Sequence, residues 1–279
     1  MTEPNAAAAG TIDVGGDLTV NRLGFGAMRI TGDGIWGDPP DREVAKSVLR
    51  RAVELGVNFI DTADSYGPHV SEELIAEALY PYADDLVIAT KGGLERTGPG
   101  QWPVNGSPEH LVKALDGSLK RLKLEQIPLY QFHRPDPKVP IEESLGVLIE
   151  AKNAGKIRHL GVSNFDETQI AIAQGLTPIV SVQNRYNADD RSSETVVDLC
   201  EQESLVFLPW APISADNPAV KQAAVDHGVS PRQVVLAWLL ARSPKILPIP
   251  GTGSIEHLEE NLAAASLQLT PAEVAAITG

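Results

Sequence analysis

The sequence is poor in cysteine, in positive charge and in long apolar runs. Its single cysteine, Cys200, excludes an intramolecular disulfide and with it a small secreted scaffold held by bridges. Cys200 falls in SETVVDLCEQE, a helical pattern that suits a small buried residue, so packing is expected of it rather than catalysis. Lysine and arginine number 23 against 37 aspartates and glutamates, a net charge of -14. The acidic residues are spread along the chain and no basic block occurs, which excludes a nucleic-acid partner. No stretch is long and apolar enough to span a membrane, and MTEPNAAAAGT lacks the basic start and apolar core of a signal peptide. A cytoplasmic monomer with no membrane partner is the expectation. With 43% hydrophobic and 22% charged residues the chain has enough apolar surface to fold, which excludes disorder.

What is present is alternation. Eight short β-type runs, 23–28, 57–61, 85–90, 128–133, 157–163, 179–184, 205–210 and 245–250, are separated by amphipathic segments. Helix starts are marked by Asp41, by Ser107-Pro108 and by Asp166 with Gln169. In the first helix Val44, Val48, Leu49, Ala52 and Val53 are expected on one face. Strands alternating with helices pair in parallel. An open dinucleotide-binding sheet would carry G-x-G-x-x-G after its first strand, but Gly24-Phe25-Gly26-Ala27-Met28-Arg29 lacks the third glycine and no helix follows directly. The reading is therefore an α/β fold, a (β/α)8 TIM barrel forming one domain over residues 1–279. TIDVGGDLTV reads as a hairpin placed to close the barrel bottom, and Thr270-Pro271-Ala272-Glu273 as a capping box that opens a terminal helix.

In such a barrel the carboxyl ends of the strands build the site. The second run ends in Asp61 and leads one loop later to Tyr66, the third leads to Lys91, and the fourth ends in His133. A carboxylate, a phenol, an amine and an imidazole at one mouth permit proton donation to a developing alkoxide. With an ordinary pKa of about 10 the phenol needs a cation beside it to ionise, which Lys91 can supply while Asp61 holds the ammonium. None of these groups donates hydride, so a nicotinamide is required. Taken singly each has a plainer reading: a turn cap, a solvated charge, a rim ring or a loop hydrogen bond.

The motifs GVNFIDTADSYG, ATKGG, QFHRPD, GKIRHLGVSN, VQNRYN and PIPGTGSIEHLEEN, in that order, resemble those of the aldo-keto reductase family. The resemblance implies an NADP(H)-dependent oxidoreductase acting on a small-molecule carbonyl substrate, with NAD(H) the lesser alternative. It implies a catalytic tetrad of Asp61, Tyr66, Lys91 and His133, and a nicotinamide carboxamide held by Ser163, Asn164 and Gln183. It puts Trp210 under the nicotinamide ring, where many members have tyrosine, and assigns Gly26 and Met28 to the cofactor as well. At the adenosine end many members carry a lysine after IP and an arginine on the next helix, and here those places hold Gly251 and His257. The replacement reading is a phosphate held by Gly251, Thr252, Gly253 and Ser254 at a helix start, with His257 on its first turn and Glu260 and Asn261 toward adenine.

The loops after the first and third runs are long, rich in glycine and proline, and carry Trp36 and Trp102, which are expected either to wall the substrate pocket or to pin their own loops. Two other readings use the same fold. One is a binding protein that senses the nicotinamide cofactor, as in channel-associated β-subunits. The other is a metal-assisted hydrolase, disfavoured because His133 is the only histidine at an expected strand end.

Overall fold

Strand residues two apart share a face, so every second residue of each barrel strand points inward. The structure, a computed structural model, describes residues 3–279. Met1 and Thr2, which begin the segment read above for a leader, lie outside the described residues. β1 (Thr11–Val14) and β2 (Leu18–Asn21) pair antiparallel, with Val14 opposite Leu18, as the expected hairpin. One face, Ile12, Val14, Leu18 and Val20, is buried against Phe59, Val87, Leu129, Val206 and Leu247, the lower inward residues of the strands. The hairpin therefore closes the barrel bottom. Its turn is fixed by Asp17, which meets Arg158 at 2.7 Å and His159 at 2.6 Å.

The parallel strands run in sequence order: β3 (Phe25–Gly26), β4 (Phe59–Asp61), β5 (Val87–Gly92), β6 (Ile127–Phe132), β7 (Ile157–Ser163), β8 (Ile179–Gln183) and β9 (Val206–Phe207). The helices α1 (Arg42–Glu54), α2 (Val70–Leu79), α3 (Pro108–Leu122), α4 (Ile141–Asn153), α5 (Glu167–Leu176) and α6 (Glu194–Glu203) alternate with them. Two helices, α7 (Pro218–His227) and α8 (Pro231–Arg242), follow β9. The chain ends in α9 (Ile255–Ala263) and α10 (Pro271–Thr278). The expected caps are all present: the side chains of Asp41 and Ser107 accept from first-turn amides, and Asp166 with Gln169 and Thr270 with Glu273 form reciprocal boxes.

Two expectations are corrected. On α1 the buried face is Ala45, Val48, Leu49 and Ala52, a spacing of three, four and seven; Val44 lies off that stripe and is half exposed. The eighth run, 245–250, is not a regular strand. It does close the barrel: Phe207 N–H donates to Lys245 (2.8 Å), Leu247 N–H to Phe207 (2.9 Å), Gly24 N–H to Pro248 (2.9 Å) and Gly26 N–H to Pro250 (3.2 Å). Pro248 and Pro250 have no N–H to return, so on the side of β3 the bonds run one way only and the ladder is incomplete.

Gly26 and Gly251 make that seam possible. A Cβ on Gly251 would lie 2.5 Å from the Gly26 carbonyl oxygen, and one on Gly26 2.6 Å from that of Ile249. Gly251→Ala is accordingly expected to destabilise the protein by about 1–3 kcal/mol through forced backbone shifts. Urea unfolding checks this, and an unchanged midpoint would show that the seam yields freely.

Candidate active site

The inward parity that buries Phe59, Val87, Ala89 and Leu129 brings Asp61, Lys91 and Gln131 into the next layer up. The Lys91 ammonium is 0% exposed and 2.6 Å from Asp61 Oδ2. Its other donors go to the Thr62 carbonyl (2.8 Å) and the Tyr66 hydroxyl (3.4 Å), so all three N–H groups have partners. The other carboxylate oxygen, Asp61 Oδ1, accepts from Gln131 Nε2 (3.0 Å) and Gln183 Nε2 (2.9 Å). Gln131 was not singled out from the sequence as a site residue. The signal was there: an amide two residues from both Leu129 and His133 on a buried strand.

Burial and charge act against each other here. Burial works to lower the Lys91 pKa, but the charge of Asp61, the phenol and the hydrogen bonds to both outweigh it and hold the group above its ordinary value. For Tyr66 burial wins: it pushes the phenol up, and the Lys91 charge only partly offsets it. Lys91 does favour ionisation of the phenol, as the sequence leads one to expect, but the enclosure of the ring outweighs it. His133 is driven well below its ordinary range, by burial first and then by the charges of Lys91 and Arg134, and is a neutral imidazole. Its ring meets Tyr66 edge-on, with centroids 6.1 Å apart. Its Nδ1 is buried with no partner among the described residues.

Across the mouth, Ser163 ends β7 and Asn164 follows with a φ of 60°. Asn164 Nδ2 donates to the His133 carbonyl and to Ser163 Oγ, both at 3.0 Å, and its Oδ1 accepts from Trp210 Nε1 at 3.1 Å. Ser163, Asn164, Gln183, Trp210 and His133 are thus brought into one cluster. Gly26, Met28 and the turn Gly251-Thr252-Gly253-Ser254 flank the seam. Ser254 caps α9, its Oγ accepting from the His257 amide at 3.4 Å, while Ser254 N–H donates to Thr252 Oγ1 at 3.1 Å. His257 is exposed, Glu260 half-buried, and Asn261 buried with its Oδ1 unpartnered. Arg29, passed over in the sequence, runs alongside this turn: a Cβ on Gly251 would lie 3.7 Å from Arg29 Cγ. Arg29 is exposed and has no ion-pair partner among the described residues. Trp102 meets Tyr66 edge-on at 6.3 Å, and Trp36 lies at the mouth beside it, the two indoles sharing Arg96 as a neighbour. No group of histidine, cysteine and carboxylate residues suited to a metal occurs among the described residues.

Two outcomes follow from this geometry. Lys91→Met leaves Asp61 buried without its cation and is expected to cost about 3–5 kcal/mol, while the double variant with Asp61→Asn costs less. Denaturant unfolding of the set checks it, and equal losses would mean the charges are not coupled. For His133 the unfolded imidazole takes a proton near 6.5 whereas the folded one does so only at lower pH. The group's stabilising contribution is therefore complete above that value and is lost as pH falls through it, by at most about 1.4 kcal/mol per pH unit. His133→Gln is expected to flatten that stretch of the stability profile, and parallel profiles would contradict a buried neutral imidazole.

A family model described as Aldo/keto reductase family matches residues 22–279. The chain is 49% identical over 271 residues to an uncharacterized oxidoreductase of Schizosaccharomyces pombe, covering 95% of this chain and 88% of the relative. It is 42% identical over 275 residues to a pyridoxine 4-dehydrogenase of Escherichia coli, covering 95% and 96%. A crystal structure of an aldo/keto reductase from Klebsiella pneumoniae in complex with NADP and acetate superposes with a TM-score of 0.79 at 25% identity, over 96% of this chain and 93% of that one. With the barrel, its bottom hairpin and the polar layer at its mouth, these likenesses place the chain in the aldo/keto reductase family, as an oxidoreductase.

Proposed function

We propose that the protein reduces aldehyde or ketone carbonyls with NADPH and that Tyr66 gives the proton. The observation that carries this reading is the position of Lys91, whose buried ammonium touches both Asp61 and the Tyr66 hydroxyl. A phenol kept protonated by its enclosure holds the proton until a carbonyl oxygen beside it gains negative charge. Lys91 then stabilises the phenolate as it forms, and Asp61 keeps Lys91 charged. Neutral His133 offers a ring N–H to the same oxygen without adding a competing proton source. A bound nicotinamide supplies the hydride.

The residues fit such a cofactor. Gln183 donates through Nε2 to Asp61, leaving its Oε1 to accept, and Ser163 retains its own O–H to donate, which suits a carboxamide. Trp210 is fixed in orientation by Asn164 and presents a flat face for a ring. The first turn of α9 offers amides to a phosphate; His257 stands at the place of the arginine of many relatives, and Arg29 runs alongside Gly251, the place of their lysine. This supports NADPH over NADH, as does the NADP in the Klebsiella pneumoniae relative. The likeness to a pyridoxine 4-dehydrogenase makes pyridoxal a first aldehyde to assay.

Tyr66→Phe is expected to lower kcat for NADPH-dependent carbonyl reduction by about 10²–10⁴-fold with NADPH affinity nearly intact. Retained turnover would overturn the proton-donor role. A protein that only senses the cofactor would bind NADPH equally well and turn over feebly before any substitution. Arg29→Ala combined with His257→Ala is expected to weaken NADPH by about tenfold, a loss of about 1.4 kcal/mol, while leaving NADH affinity in place. Equal losses for the two cofactors, read by fluorescence titration, would remove these residues from phosphate recognition.

A further inference from the structure

Arg96, in the loop after β5, sits at the barrel mouth in a chain rich in carboxylates, yet it has no carboxylate partner among the described residues. Its hydrogen bonds all end on backbone carbonyls. Nε donates to Gln101 (2.9 Å), Nη1 to Ile35 (2.7 Å) and Ser65 (2.9 Å), and Nη2 to Gly34 (3.1 Å) and Gly98 (3.4 Å). A guanidinium has five N–H donors in a fixed planar fork, and all of them are used. Two indoles lie against it as well: the central carbon is 3.6 Å from the Trp102 ring centroid and 5.6 Å from that of Trp36.

The carbonyls come from three different loops. Gly34 and Ile35 belong to the loop after β3, Ser65 to the segment after β4, and Gly98 and Gln101 to Arg96's own loop. We propose that Arg96 is a positioning residue that locks the two tryptophan-bearing loops to the Tyr66 segment and so sets the width of the substrate entrance relative to the phenol. Two contacts carry its influence to Tyr66. One is the bond to the carbonyl of Ser65, the residue immediately before it. The other is the stack on Trp102, whose edge meets the Tyr66 ring at an interplanar angle of 84°. None of the contacts of Arg96 reaches Ser163, Asn164, Gln183, Trp210 or the turn before α9, so its effect is confined to the carbonyl substrate. Lysine cannot replace it, having three donors at one point and no planar face.

The kinetic part of this proposal rests on the reading of Tyr66 as proton donor; the clamp itself does not. Arg96→Lys and Arg96→Met are to be compared with the parent in the full-length protein. Hydrogen exchange is expected to quicken in both loops, over 33–37 and 97–103. NADPH affinity stays within about twofold, while kcat/KM for a bulky aromatic aldehyde falls by about 10²-fold, as a displacement of about 1 Å at a reacting group costs. A short aliphatic aldehyde, with less contact to the loop walls, is expected to lose less through KM than through kcat. Trp102→Leu, which removes the stacking face and keeps the hydrogen bonds, reproduces the change on a smaller scale. Unchanged exchange in either loop overturns the clamp. So does a loss of NADPH binding in step with kcat/KM in both Arg96 variants and Trp102→Leu, the pattern of a general structural defect. If exchange quickens as expected while the parent reduces no carbonyl, or Tyr66→Phe reduces it as well as the parent, the catalytic reading fails and the clamp stands.

Discussion

The upper barrel is organised around an ammonium that has no access to water. Placing Lys91 and Asp61 in the interior carries a desolvation cost of several kcal/mol per ion, which their 2.6 Å contact offsets only because the remaining valences are also filled. Thr62 and Tyr66 take the other lysine protons, and Gln131 and Gln183 satisfy the second carboxylate oxygen. Residues from β4, β5, β6 and β8 therefore converge on a single ion pair. The apolar layer beneath, floored by the hairpin, keeps water from reaching it from below.

The same enclosure separates the two nitrogen bases at the mouth. Burial drives both Lys91 and His133 toward their neutral forms, but only Lys91 has a carboxylate within hydrogen-bonding distance. Lys91 is held in its charged form and His133 in its neutral one, although both lie beside the Tyr66 ring. Environment, rather than residue type, sets the charge.

Much of this was legible in the sequence because the strand period is rigid. Once Phe59 and Leu129 are taken as inward, Asp61, Gln131 and His133 follow by parity, and the helix caps at Asp41, Ser107, Asp166 and Thr270 are local chemistry that needs no tertiary information. The shift of Val44 out of the buried face of α1 was not legible, since which side of a wide apolar stripe meets the barrel depends on the angle at which the helix docks. Nor was the character of 245–250: β-type side chains predict a strand, while the two prolines forbid half its ladder. Arg29 and Arg96 were missed for a common reason. Neither lies in a periodic pattern, and the contacts that fix their place, Gly251 for Arg29 and Ile35 and Ser65 for Arg96, come from segments distant in sequence.

The one-way seam between the first and last barrel segments also fixes when the site can exist. Asp61, Tyr66, Lys91 and His133 have all been synthesised by the middle of the chain, yet the ring that holds them closes only when Pro248 and Pro250 accept from Gly24 and Gly26. A chain halted before Lys245 would carry all four of these side chains without the segment that closes the ring around them. The side chains are encoded early and the enclosure comes late. Such a contact between distant ends is the kind that forms slowly, because a long loop must be ordered before it is rewarded.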